Sequence, residues 1–396
     1  MDLLGARSAA SSLLITLRTW GLKKRNRATG QISHRRLIAR SCAHLQSAER
    51  HARVEICPRR PFPCADAMST ILEDEHAAVI SVDTNEQLFD YLADSHCHPQ
   101  DDMENVSHLN SMRVSHVAVM AERRSDWQNV ERIYELYSGK AIPCFGIHPW
   151  FSHLHALEGE NTENAPLLES KSNDDVQAAS VALKDRGDIP IPASEWKPEL
   201  RRLLLKHPYA CVGEFGLDKA AVLLDVGVRG VQPNFEHQTA LVRHHLQLAA
   251  ELNRPVSMHC VRCYGFLEQL FRQMTPEECP SKIMLHSFGG SPDIIKGFTK
   301  IPKVGTRFYF SFSSVINSKN MDKLVQRIQQ VPDDRLLMES DQTSATKIAA
   351  GLVDICQVTA LAKGWSLEET AQRTYANFRE FYAQSLLHMD DEGTTA

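Results

Sequence analysis

The sequence predicts an α/β protein, a closed (β/α)8 TIM barrel occupying residues 86–390. Three observations lead there. Past residue 80, short apolar runs alternate with longer amphipathic stretches, eight runs in about 300 residues, which is the pattern of parallel strands joined by right-handed helical crossovers. No glycine-rich nucleotide fingerprint follows any run, and this disfavours the doubly wound open sheet, the alternative with the same alternation. The histidines and acids that stand out sit at the C-terminal ends of the runs, the face where barrels of this kind gather their chemistry.

The candidate strands are residues 91–95, 116–121, 142–147, 210–214, 255–259, 283–286, 308–312 and 336–339. Helix-like segments fall between them at 127–137, 199–206, 235–252, 263–273, 293–299 and 321–329. Two insertions interrupt the alternation. Residues 153–195 include Gly159-Glu160-Asn161-Thr162-Glu163-Asn164 and Lys171-Ser172-Asn173-Asp174-Asp175; polar, acidic and aperiodic, they read as a long surface loop after the third strand. Residues 219–233 form a second insertion after the fourth. Both leave from C-terminal strand ends, where they can cover or narrow a substrate entrance.

Residues 1–85 read as an extension outside the fold. Within residues 1–68, thirteen Lys and Arg stand against four Asp and Glu, a balance of +9; the whole chain carries −5, so the remainder carries −14. This Arg- and Ser-rich segment opens with Leu13, Leu14, Ile15 and Leu17, the composition of a mitochondrial presequence. A disordered extension, or a true start at Met68, fits it as well. No stretch approaches the roughly 20 apolar residues that cross a bilayer, so no membrane partner is expected. Ten cysteines, scattered over 396 residues, do not form a secreted disulfide framework. Reduced thiols in an intracellular protein of the cytoplasm or nucleus, or of the mitochondrion if the presequence is genuine, are expected. The pair Cys260 and Cys263 has no second pair at zinc-ribbon spacing and reads as ordinary packing.

The chemical residues fall on the strand ends. His96 and His98, in Asp94-Ser95-His96-Cys97-His98, are one residue apart, so on a strand both imidazoles face the same side. His148 follows the third strand, Glu214 ends the fourth, His259 the fifth and His286 the sixth, and Asp341 follows the eighth. A barrel converges these ends on one mouth. Setting His148 aside, four imidazoles and two carboxylates are the ligand set of two divalent cations: imidazole suits zinc or manganese, and a carboxylate can bridge two ions. Two such ions activate water and stabilise attacking and leaving oxygens, so hydrolysis, of phosphate esters in particular, is the default chemistry.

Six blocks, Asp94-Ser95-His96-Cys97-His98, Gly146-Ile147-His148-Pro149, Gly213-Glu214-Phe215-Gly216-Leu217-Asp218, Met258-His259-Cys260, Leu285-His286-Ser287-Phe288-Gly289-Gly290 and Glu339-Ser340-Asp341, resemble in order those of the TatD family of metal-dependent deoxyribonucleases, a branch of the amidohydrolase superfamily. The resemblance covers about residues 90–385. It implies two divalent ions (Mg2+, Mn2+ or Zn2+), one held by His96, His98 and Asp341, the other by His259 and His286, with Glu214 bridging. It also implies phosphodiester hydrolysis through a metal-activated water, with 3′–5′ exodeoxyribonuclease activity. Asp341 would serve as general base beside its ligand role, making Asp341 and Glu214 the catalytic pair. His148 is a candidate phosphate contact.

The chain departs from the family in two places. The family's arginine two residues after the strand-five histidine is Val261 here, with Arg262 following as the candidate phosphate contact, and the proline after the last aspartate is absent from Asp341-Gln342-Thr343-Ser344. Trp150 and the two insertions resemble a fungal subgroup described as interacting with a cell-cycle ubiquitin-ligase subunit. A barrel balance of −14 opposes nonspecific binding of long duplex, so single-stranded DNA ends or short oligonucleotides are the expected partners. Two other readings stay open: a metal-binding scaffold that recruits a protein partner through the insertions, and a hydrolase of a small amide or ester. Glu214 stands where a carboxylated lysine would favour the latter.

Overall fold

The computed structural model describes residues 86–160, 167–224 and 226–387; the N-terminal extension lies outside them. Eight parallel strands form one sheet in chain order: β1 Ala93–Cys97, β2 His116–Met120, β3 Ala141–Phe145, β4 Cys211–Asp218, β5 Val256–Val261, β6 Ile283–Leu285, β7 Phe308–Phe312 and β8 Leu336–Met338. Helices pack outside: α1 Trp127–Leu136, α2 Asn173–Asp185, α3 Ala193–Lys206, α4 Phe235–Glu251, α5 Tyr264–Gln273, α6 Pro292–Thr299, α7 Met321–Gln330, α8 Ala345–Lys363 and α9 Leu367–Phe381. This is the (β/α)8 TIM barrel. β1 is followed by the single turn His108–Ser111 in place of a long helix.

The strand order closes through a seam outside the regular ladder. Just past β8, the Asp341 N–H donates to the His96 carbonyl (3.0 Å) and the His98 N–H donates to the Gln342 carbonyl (2.8 Å). Buried Asp94 adds a side-chain clasp, accepting from the Ser340 N–H at 2.9 Å and from the Ser340 hydroxyl. Burial pushes the Asp94 pKa up to about 7, against the lowering effect of those Ser340 hydrogen bonds.

Alternation sorts the strand residues into two cores. Outward Val117, Val119, Phe145, Val212 and Phe310 pack against the helices in the main core. Inward Ala118, Ile142, Cys144, Cys211, Met284 and Leu337 fill the barrel together with Phe378, Phe381 and Tyr382 from α9 and its end. These aromatics plug the barrel beneath the strands' N-terminal halves; Tyr309 meets Phe381 edge-on at 5.0 Å and the Tyr382 hydroxyl donates to the Ser95 carbonyl. The sequence reading stops at the eighth strand and misses α8 and α9. α8 ends on Gly364, whose φ of 70° is the left-handed position glycine adopts freely, and α9 starts on Ser366, which accepts from the Glu369 N–H. By length and composition α8 could cross a membrane, yet half of its most apolar window is buried.

The first insertion differs from expectation. Its polar stretch Lys171-Ser172-Asn173-Asp174-Asp175 is a helix start, with Ser172 accepting from the Asp175 N–H at the head of α2, and residues 193–195 already belong to α3. Ala179 and Leu183 of α2 and Leu168 pack with Leu223, Val226 and Val231 of the second insertion, and Leu168–Glu169 pairs antiparallel with Gln232–Pro233. The helix is invisible to local periodicity because its apolar partners come from the other insertion.

Candidate metal centre

The mouth is built from strand ends whose register is broken where the site needs it. The β1 ladder loses register between Asp94 and Cys97, and the β4 ladder between Val212 and Phe215. These irregularities re-aim His96 and Glu214 inward. Strands press unusually close here: a Cβ on Gly216 would lie 1.9 Å from the His259 carbonyl oxygen, and one on Gly146 would lie 2.6 Å from the Glu214 carbonyl oxygen. Only glycine admits that approach. Asp341 and Ser287 sit in the left-handed region at φ 51° and 39°, held by the Asp341 N–H bond to His96 and by the Ser287 N–H bond to the buried Glu339 carboxylate at 2.7 Å.

Glu214, almost wholly buried, stands at the centre. Its Oε2 lies 3.2 Å from His96 Nε2 and 3.5 Å from His98 Nε2. Its Oε1 lies 3.0 Å from His259 Nδ1, 2.6 Å from His286 Nε2 and 3.3 Å from His148 Nε2. Asp341 Oδ1 closes the first group, 3.4 Å from His98 Nε2 and 3.8 Å from His96 Nε2. Among the described residues, the triads His96–His98–Glu214, His96–His286–Asp341 and His148–Glu214–His259 each hold their ligand atoms within 4.8 Å of one another.

The donor set fits divalent cations. Ligands about 2.0–2.1 Å from a tetrahedral ion lie about 3.3 Å apart, the spacing of these edges. Outer partners turn the inner lone pairs toward the centre. His98 Nδ1 donates to the Met120 carbonyl at 2.9 Å, His96 Nδ1 meets Ser257 Oγ at 2.8 Å, and His259 Nε2 faces Asp218 Oδ2 at 3.3 Å. His286 Nδ1 has no hydrogen-bond partner among the described residues, with Glu339 Oε1 3.7 Å away.

His148 differs in kind. Its Nδ1 accepts from the Trp150 backbone N–H at 3.1 Å, so the neutral ring carries its proton on Nε2 and donates toward Glu214 Oε1. Burial pushes its pKa down to about 4, which keeps it neutral. His148 therefore offers the centre a proton donor, whereas the other four imidazoles offer lone pairs.

Without metal, these groups share protons. Burial acts to lower the pKa of His98, but the hydrogen bond to Asp341 and the charges of Glu214 and Glu122 raise it to about 10. His286 is also raised, burial being outweighed by Glu214. Burial opposes ionisation of Glu214 and Asp341, yet both are held well below the usual carboxylate range, Glu214 by His286, His148 and His96, and Asp341 by His98, His96 and His286.

The structure thus gathers His96, His98, Glu214, His259, His286, Asp341 and His148 into one cluster. Arg262 stays outside it: exposed, at φ 57°, with no hydrogen bond or ion pair among the described residues. Sequence reasoning missed Asp94, Asp218, Ser257 and Glu339. Asp218 had a signal, since four residues along a strand returns a side chain to the face of Glu214. Ser257 had none. Cys260 and Cys263 are buried with Sγ atoms 3.7 Å apart, Cys263 donating to the Leu217 and Val261 carbonyls.

A barrel mouth in which one carboxylate is shared by two groups of imidazoles defines a class, the metal-dependent hydrolases. The chain belongs to the TatD related DNase family, whose model matches residues 93–383, and is a metal-dependent hydrolase of ester bonds. It is 33% identical over 333 residues to the Cut9-interacting protein scn1 of Schizosaccharomyces pombe, spanning 73% of this chain and 98% of that protein. It is 27% identical over 303 residues to Deoxyribonuclease TATDN3 of Homo sapiens, spanning 72% and 92%. A TatD family hydrolase from Entamoeba histolytica shares the fold at a TM-score of 0.52 and 16% identity, over 74% of this chain and 97% of that one.

Proposed function

We propose that the chain hydrolyses phosphodiester bonds of DNA, removing nucleotides from single-stranded 3′ ends in the 3′–5′ direction. The observation that carries this is the division of Glu214, Oε2 toward His96 and His98 and Oε1 toward His259 and His286. One carboxylate serving two ligand groups suits two ions about 3.5–4 Å apart. His96, His98 and Asp341 would hold one and His259 and His286 the other, with Mg2+, Mn2+ or Zn2+ as occupants. Bound there, such ions supply Lewis acidity toward phosphate oxygens and a water of lowered pKa.

The chain's own groups do the rest. As the water oxygen bonds to phosphorus and the bond to the leaving 3′ oxygen breaks, the Asp341 carboxylate takes the water's proton and returns it to that oxygen, leaving a free 3′ hydroxyl. Its Oδ2 is steadied by the Ser287 hydroxyl at 3.4 Å. With substrate bound, the His148 Nε2–H, which lies 3.3 Å from Glu214 Oε1 without it, would turn to a phosphate oxygen, and exposed Arg262 would meet the neighbouring phosphate. The −14 balance of residues 69–396 favours short single strands over duplex.

Elemental analysis coupled to cleavage of a 3′-labelled oligonucleotide tests this. About two metals per chain and release of labelled mononucleotide are expected, both lost in Glu214→Ala and on chelation. Fewer than one metal per chain, with cleavage indifferent to Glu214→Ala, overturns it. A second reading, a scaffold that recruits a protein partner, is favoured by the small core the two insertions build together and by the S. pombe relative's name, Cut9-interacting protein scn1. Full metal content with no turnover on any oligonucleotide would support it.

A further inference from the structure

Trp150 is anomalous among the tryptophans of the barrel. Trp127 and Trp196 are 1% and 0% exposed and lie in the core, whereas Trp150 is 52% exposed at the catalytic mouth. Its exposure does not come from looseness. The turn Pro149–Leu154 is capped by His148, which accepts from the Trp150 N–H. The indole Nε1 donates to Asp218 Oδ2 at 2.7 Å, and the ring stands edge-on to His148 with centroids 5.1 Å apart. An exposed aromatic plane is thus held rigidly by an edge hydrogen bond and an imidazole.

Its anchors are groups of the centre itself. The Asp218 oxygen that accepts from the indole also faces His259 Nε2 at 3.3 Å, and His148 reaches Glu214 at 3.3 Å. A fixed aromatic plane beside a phosphoester centre matches a nucleotide, base on the plane and phosphate at the centre.

Resting on the phosphodiester reading above, we infer that Trp150 is the stacking platform for the nucleobase adjoining the scissile phosphate. Stacking uses the π-face that every base has, so the platform is tolerant of sequence and prefers purines for their larger area. It makes the substrate a nucleotide chain rather than a phosphodiester of any kind.

The test compares oligonucleotides ending in 3′-deoxyadenosine with otherwise identical ones ending in a 3′ abasic site. In the metal-loaded wild type, kcat/KM favours the base-bearing end. In Trp150→Ala that preference falls roughly ten-fold through KM, the fold-change one stacked base carries, and Trp150→Phe restores part of it. Disturbance of the centre through Asp218 would lower both substrates alike and leave the ratio unchanged, which overturns the inference. A binding readout stands apart from turnover: a phosphorothioate-linked deoxyadenosine dinucleotide quenches indole fluorescence in the wild type and not in Trp150→Phe. Quenching unaltered in Trp150→Phe, or absent in the wild type while oligonucleotides are still cleaved, overturns the platform and leaves the nuclease reading standing. Failure to cleave either oligonucleotide overturns the nuclease reading, and the quenching still decides the platform.

Discussion

The backbone N–H of Asp341 donates to the carbonyl of His96 at 3.0 Å, so the bond that joins the last strand region to the first also brings together the first and last candidate ligands of the chain. The seam that closes the barrel therefore also positions His96, His98 and Asp341 at the centre.

Removing the Asp94 carboxylate should open the seam. Asp94→Ala leaves the Ser340 and His96 N–H groups and the Ser340 hydroxyl without their buried acceptor. The expected loss is about 2–5 kcal/mol, since each buried unsatisfied donor costs ~1–3 kcal/mol. Urea unfolding measures it, and a variant within about 0.5 kcal/mol of wild type would contradict the clasp, that being the ordinary scatter of surface substitutions.

The two ligand groups should empty separately. His98→Ala removes a donor that faces Glu214 Oε2, His259→Ala one that faces Oε1. Each is expected to bring metal content from about two per chain to about one, while Glu214→Ala removes both. Elemental analysis after desalting distinguishes this from a single site, in which every variant would lose all its metal.

Metal binding should release protons. Free of metal, His98 is raised to about 10, so the folded chain holds a proton there at pH 8 that the unfolded chain lacks. That extra stability is fully present below about 6.5 and is lost as pH rises through about 10. A cation needs the neutral ring, so affinity strengthens as pH climbs toward 10 and weakens below it. Calorimetric titrations of metal in buffers of different ionisation enthalpy at pH 8 should show net proton release, and buffer-independent heats would refute it.

The plug under the barrel is a stability element that reaches the Ser95 carbonyl on β1 without touching a candidate ligand side chain. Phe378→Ala vacates a fully packed position and is expected to cost about 3–5 kcal/mol, whereas Tyr382→Phe loses one hydrogen bond, about 1 kcal/mol. Metal content of the folded fraction should not change in either. Denaturant midpoints with elemental analysis check both halves of this prediction.

Strand existence and order, and the ligand types at strand ends, were legible in the sequence because they rest on local alternation and on side-chain chemistry. His96, His98, Glu214, His259, His286 and Asp341 can each be picked out by residue type and by position at a strand end. The helix α2 and the plug α9 were not legible as structural parts, because their apolar faces acquire meaning only against distant partners: Val226 and Val231 for α2, Met284 and Tyr309 for the end of α9.

By itself, then, the sequence determined the barrel and picked out its candidate ligands. Only the tertiary structure decided roles within the cluster. His148 is a proton donor because the Trp150 N–H occupies its Nδ1, and Glu214 is shared because β4 places its two oxygens toward opposite ligand groups. Trp150 faces solvent beside the centre because Asp218, 68 positions away, holds its indole edge. Donor directions and carboxylate sharing are relations between strands, and no single stretch of chain contains them.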